Sequence, residues 1–126
     1  MKEARQTALG RMYRLCDRPF TVYRRQDDGT VVRRRVKCYY ESKTIYSVDN
    51  AGTPHATSTF LLICPTDDPD LIIPQDRVLP GEGPEIQADE WPTFLPAKYP
   101  GLVVVKTSTP YYFAGEVRHI EAGGLL

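Results

Sequence analysis

Apolar and polar positions along this chain alternate mostly with the two-residue period of strands, and one stretch of any length carries the period of a helix. In residues 2–16, KEARQTALGRMYRLC, the apolar Ala8, Leu9, Met12 and Cys16 fall close to one face, while Arg5, Arg11, Arg14 and Arg18 lie elsewhere. This predicts a short amphipathic N-terminal helix or arm over 1–18, packed on the rest of the chain or folding against a neighbouring subunit. Gly10 weakens it by about 1 kcal/mol relative to Ala, and Arg18-Pro19 marks its end. Phe20–Arg25 and Val31–Glu41 then flank Asp28-Gly29, a dipeptide suited to a hairpin turn. In the second of these strands Val32, Val36, Cys38 and Tyr40 share one face, interrupted by Arg34, which must snorkel or find a carboxylate. Arg33, Arg35 and Lys37 share the other face with Val31 and Tyr39.

Farther on the pattern weakens and recovers. Residues 42–56 read as a loop or weak strand with a turn at Asp49–Gly52, and Thr57–Cys64 as a strand buried on both faces, ended by Pro65. An acidic turn (Asp67, Asp68, Asp70), a short apolar contact at Leu71-Ile72-Ile73 and a brief strand near Gln75–Leu79 follow. Residues 80–100 form a long Pro/Gly-rich loop. It has room for one helical turn, capped by Asp89, with Pro92 in its first turn, and Trp91, Phe94, Leu95 and Tyr99 would then pack over the barrel end. Gly101–Gly124 reads as the closing hairpin, with strands at Leu102–Val105 and Tyr111–Ala122 and a polar link at Pro110. The sum is a mainly β domain over 19–126, a small β-barrel or sandwich of six to seven strands.

Composition sharpens this picture in two places. Three cysteines (Cys16, Cys38, Cys64) are odd in number, widely spaced and lack a CxxC pair, which predicts free, buried thiols in a reducing compartment. The charged N-terminus has no apolar h-region, so no secretory signal is expected, and no apolar run is long enough to predict a membrane span. The formal net charge of zero hides a split. Residues 1–43 carry twelve Lys/Arg against five Asp/Glu, a balance of +7, and residues 44–126 carry four against eleven, a balance of −7. Either one copy meets the next, basic side to acidic side, or the basic half faces a separate anionic partner.

No motif of enzyme chemistry stands out. His55 and His119 lack metal-ligand spacing, and His119, between Arg118 and Ile120, reads as a hydrogen-bonded structural residue. Ser42, Ser47, Ser58 and Ser108 have no GxSxG elbow, Gly81-Glu82-Gly83 is too acidic for a phosphate loop, and Asp67, Asp68 and Asp70 do not follow a calcium-loop pattern. No catalytic residue, metal or cofactor is therefore expected. The basic stripe Arg24, Arg25, Arg33, Arg35 and Lys37, with Tyr23 and Tyr39 beside it, is the strongest ligand-binding candidate, of the kind single-strand nucleic-acid binders use.

Four segments together resemble a known group: Thr21-Val22-Tyr23; Arg33-Arg34-Arg35-Val36 leading into Cys38-Tyr39-Tyr40; Gln75-Asp76-Arg77-Val78; and the ending from Phe113 to Gly124, with Val117-Arg118-His119-Ile120-Glu121-Ala122-Gly123-Gly124. They are similar to the minor capsid or head–tail connector proteins of siphophages that infect Gram-positive bacteria. The resemblance implies a non-enzymatic virion protein of the neck, most of all a head-closure (stopper) protein, assembled in the host cytoplasm. Such a protein is a small β-barrel in a homo-oligomeric ring, a dodecamer or hexamer. The ring sits between portal or adaptor above and tail tube or terminator below, and passes double-stranded DNA without sequence recognition. On this reading Arg24, Arg25, Arg33, Arg35 and Lys37 pair with Glu82, Glu85, Asp89 and Glu90 of a neighbour, and Trp91, Phe94 and Tyr99 anchor the long loop at the interface. The alternatives are a tail terminator or tail-completion protein of the same neck, and a nucleic-acid-binding β-barrel module.

Overall fold

A computed structural model describes residues 13–126. Most of the helix expected over 2–16 lies outside the described residues, and the part within them, residues 13–15, is a turn closed by Cys16 N–H donating to Tyr13 O at 2.9 Å. The chain then builds seven strands: β1 (Arg18–Arg25), β2 (Val31–Val48), β3 (Pro54–Pro65), β4 (Arg77–Pro80), β5 (Val103–Val104), β6 (Thr107–Phe113) and β7 (Glu116–Leu125), with a 3₁₀ helix at Ala88–Thr93. All neighbouring strands are antiparallel and form one sheet in the order β5-β4-β1-β2-β3-β7-β6.

The mainly β class is as expected, but the barrel is not. Residues 103–113 supply both edges of the sheet, β5 against β4 and β6 against β7, and between them Val105 N–H bonds Asp76 O while Lys106 N–H bonds Gly123 O. One stretch of chain thus passes from edge to edge, with no ladder between β5 and β6 to close the sheet into a barrel. At this crossing the backbones come very close: a Cβ on Gly124 would lie 2.8 Å from the Val104 carbonyl, so the position demands glycine.

β2 is the spine. Its residues 31–38 pair with β1 and 39–48 with β3, so one 18-residue strand joins the two halves of the sheet. Period-two alternation places Phe20, Val22, Val36, Cys38, Phe60, Leu62, Cys64, Ile120 and Ala122 in one buried core, joined by Ile72, Val78, Val103 and Val105. On β3 the buried residues alternate with the half-buried Leu61 and Ile63, so this strand is buried on one face and only partly covered on the other, in contrast to the expectation. The opposite face of β1 is also covered. There Tyr23 packs in a second cluster with Ile86, Phe94 and Leu102, because the 81–102 segment folds back over the sheet as a cap. Every residue from Phe20 to Tyr23 is therefore buried.

Three further expectations change. The final hairpin turns at Ala114-Gly115, both at positive φ (55° and 81°), the two-residue turn whose twist matches antiparallel strands. Pro110 lies inside β6, tolerated because β6 is an edge strand with a partner on one side only. The residues 42–48 and 54–56, read as loop or weak strand, are regular strand on either side of the Asp49–Gly52 turn.

A further change concerns sulfur. Cys38 and Cys64 face each other across β2 and β3, with Cα atoms 4.5 Å apart, and are joined in a disulfide. Only Cys16 is free, its thiol raised in pKa by burial. Odd number and wide spacing hid the pair, since the hairpin register alone brings the two residues opposite each other. With the bridge in place the cysteines no longer argue for a reducing compartment. The disulfide closes a 26-residue separation, and on chain-entropy grounds Cys38→Ser with Cys64→Ser should cost about 3 kcal/mol. Urea unfolding with and without reductant measures this, and a midpoint unmoved by reductant counts against the bridge.

Candidate functional site

The residues expected to bind across an interface sit on β1, β2 and the cap, and the structure brings several of them together within one chain. Arg24 points to the core side of the sheet beside Val22 and meets Asp76, a carboxylate only 2% exposed. The contact is bidentate, Nε to Oδ1 at 3.0 Å and Nη2 to Oδ2 at 2.8 Å, and Arg24 Nη2 also donates to Asp70 O. Ile73 N–H completes the cage at 3.0 Å from Oδ2. Hydrogen bonding to Asp76 raises the Arg24 pKa beyond its ordinary value. This short stretch organises its surroundings residue by residue. Gln75, at φ 79°, donates its N–H to Val105 O, while Arg77 stacks 3.8 Å over the Trp91 ring and donates to the Trp91 and Phe94 carbonyls. Val78 is fully buried in the main core.

The basic stripe finds its partners the same way. Arg35 forms an ion pair with Glu82, Arg33 donates to Gly83 O, and Arg34, exposed to solvent rather than turned into the core, meets Asp68 at 3.6 Å. Hydrogen bonding from Arg35 holds the Glu82 carboxyl below its usual range. Three ion pairs (Arg24–Asp76, Arg34–Asp68, Arg35–Glu82) therefore join the basic N-terminal third to the acidic remainder inside one molecule. Arg25 and Lys37 are exposed, as are Glu85 and Asp89, with Glu90 half-buried. Glu90 Oε1 accepts the Gln87 N–H at the start of the 3₁₀ helix, so Gln87 and not Asp89 occupies its N-cap. The loop anchors are turned inward as well: Phe94 is fully buried between Tyr23 (ring centroids 4.5 Å) and Tyr99 (4.8 Å). These aromatics fix the cap to its own sheet. Tyr23 donates to Pro84 O, and a Cβ on Gly83 would overlap the Tyr23 hydroxyl.

An open cleft of about 590 Å³ lies beside this hub, lined by Arg24, Arg25, Asp27, Gln75, Arg77 and Trp91 among others. Its charges nearly cancel, three guanidiniums against Asp27 and Asp76, and Arg24 and Arg77 are already engaged. A second polar group sits on β7, where Tyr13 OH is 2.5 Å from His119 Nδ1 and His119 Nε2 is 3.5 Å from Glu121. The Tyr111 ring stacks on the imidazole at 4.8 Å. Burial raises the Tyr13 hydroxyl pKa, and its hydrogen bond to His119 ties residue 13 to the sheet, a structural role for His119. Among the described residues no three His, Cys, Asp or Glu side chains group as a metal site, and no helix is long and apolar enough to cross a membrane.

The feature that sequence reasoning missed is the outer half of the β2–β3 hairpin. Every residue from Glu41 to Thr57 is exposed, on both faces. Outward of the Thr44–Ser58 pair no third strand among the described residues flanks the hairpin, which leaves a two-stranded ribbon extending roughly 15–20 Å beyond the sheet. Tyr46 is 80% exposed, Val48 68% and Ile45 50%. The β-branched and aromatic run Thr44–Val48 ahead of the Asp49–Gly52 turn was a strand signal in its own right. Compared with known protein families, curated proteins and solved structures, the chain matches none.

Removing one member of the buried pair leaves the other charge stranded, so Arg24→Ala or Asp76→Ala should each cost about 3–5 kcal/mol. Arg35→Ala, at an exposed pair, should cost less than about 1 kcal/mol. Denaturant titration of the three variants tests the ranking, and equal costs for Arg24 and Arg35 would overturn it.

Proposed function

We propose that this protein is a structural subunit of a tailed-phage virion, a component of the head–tail connector ring of the head-closure (stopper) type. It joins portal or adaptor to tail, and double-stranded DNA passes through the ring. The resemblance of four segments suggests the class. The observation that carries an assembly role is the β2–β3 ribbon. An isolated two-stranded hairpin is marginal in water, and one that holds Tyr46, Val48 and Ile45 in solvent gains its stability by contact with another chain. The rigid body behind it suits such a part: a disulfide joins β2 to β3 within the core, and a buried ion pair locks the sheet.

The contact chemistry differs from the one that charge alone suggests. The arginines of the stripe are largely spent on carboxylates and carbonyls of their own chain, which also weakens the reading as a nucleic-acid-binding module. A DNA-holding surface needs several free cations and a strong salt dependence. A subunit that lets DNA pass has no such need.

The purified chain, mixed with portal–adaptor complexes and with tail-tube or terminator proteins of the same particle, should co-elute as a ring of six or twelve copies by light scattering. Failure to associate with any neck component would contradict the proposal, as would salt-sensitive retention on DNA lost with Arg33→Ala and Arg35→Ala.

A further inference from the structure

We infer that the open cleft beside Asp76 binds a carboxylate carried on an apolar body, held between Arg25 and Arg77. The cleft, of about 590 Å³, has the size of sites that take a small organic ligand. The sheet register places its two cations. Tyr23↔Arg77 is the last pair of the β1–β4 ladder, and Arg25 lies two residues farther along β1 on the same side. Side chains at such diagonal positions start about 7–8 Å apart, a separation that two long guanidinium side chains can close on one anion. Among the described residues neither arginine joins an ion pair. Arg77 Nη1 donates to the neutral carbonyls of Trp91 and Phe94, and burial lowers its pKa with no carboxylate offsetting the shift. A half-buried cation without a counter-charge is costly, and an incoming anion relieves that cost.

The rest of the lining selects the ligand. Arg24 and Asp76 neutralise each other, which leaves Arg25, Arg77 and the exposed Asp27, an excess of one positive charge. That excess suits a single carboxylate. A phosphate dianion or a nucleic-acid backbone would bring more negative charge than it balances, with Asp27 alongside. Trp91, Ile73 and Pro74 form an apolar wall for the body of the ligand. Gln75 adds an amide to the same cleft. Its backbone is held at φ 79°, with the N–H donated to Val105 O, and left-handed geometry in a residue other than glycine is a strain that collects at binding sites. Residues 1–12 of the chain itself are a poor occupant by charge, since they carry Lys2, Arg5 and Arg11 against Glu3 alone.

Trp91 is the only tryptophan in the chain, so its fluorescence reports on the cleft directly. The full chain is titrated at fixed ionic strength with hexanoate, with its neutral counterpart hexanamide, with inorganic phosphate, and with an end-capped pentapeptide that has one glutamate among leucines. Hexanoate and the peptide should shift the emission saturably, and hexanamide and phosphate should not. Arg25→Gln should weaken hexanoate binding about tenfold or more, and Arg25→Lys, which keeps the charge, should weaken it less. An unmoved urea midpoint shows that these variants at an exposed position remain folded. Tighter binding of the peptide assigns the cleft to an acidic segment of a partner chain, and tighter binding of hexanoate assigns it to a free acid. The inference is overturned by no saturable response, by an equal response to hexanamide, by a stronger response to phosphate, or by an Arg25→Gln variant that binds as well as the unaltered chain. A Glu3→Gln variant that binds hexanoate more tightly also overturns it, because the chain's own start then fills the cleft. None of these outcomes bears on whether the chain joins neck components, which the co-elution experiment decides separately.

Discussion

A single buried carboxylate holds this molecule in register. Asp76 lies almost wholly out of water, where an unpaired charge would cost several kcal/mol, and the fold answers with the Arg24 fork and the Ile73 amide. Because Arg24 belongs to β1 and Asp76 immediately precedes β4, satisfying the carboxylate fixes the pairing Phe20↔Pro80 to Tyr23↔Arg77. The Asp76 carbonyl receives Val105 N–H, which directs the chain from the β4 edge toward β7. The next residue, Arg77, holds the cap by its Trp91 and Phe94 carbonyls. Sheet register, edge crossing and cap all issue from a few adjacent residues.

This arrangement changes the meaning of the charge split. A basic first third and an acidic remainder suggested surfaces reaching between molecules. In the folded chain the two parts are adjacent strands and loops, and the cheapest partners for Arg24, Arg34 and Arg35 are near at hand. The buried pair governs stability, and the exposed ones add little, since solvent screens them. Among the described residues the large apolar side chains most exposed on the sheet are Tyr46 and Val48 of the ribbon at one end and Tyr112 at the other.

The local patterns were legible in the sequence. Alternation gave Val36, Cys38 and Tyr40 as the inward side of β2, although Val32 and Arg34 on the same face lie in solvent, and Asp28-Gly29 and Asp49–Gly52 gave two turns because their chemistry is local. Pairings between distant segments were not legible. Cys38 and Cys64 become neighbours only once the β2–β3 register is set, and the Arg24–Asp76 contact only once β4 docks on β1. Ala114-Gly115 lacks the Asn-Gly signature of its turn, so the closing hairpin was drawn too early in the chain. Phe94 and Trp91 looked like interface anchors because nothing in a linear reading shows that the 81–102 segment folds back onto Tyr23.

The molecule divides into a locked body and an exposed ribbon, and amide hydrogen exchange measured on the free chain and on the assembled particle separates them directly. Amides of β1, β4 and Val105 should exchange slowest in both states, whereas those from Ser42 to Thr57 should exchange readily in the free chain and become protected on assembly. Ribbon amides as slow as those of β1 in the free chain, or unchanged in the particle, would contradict this division.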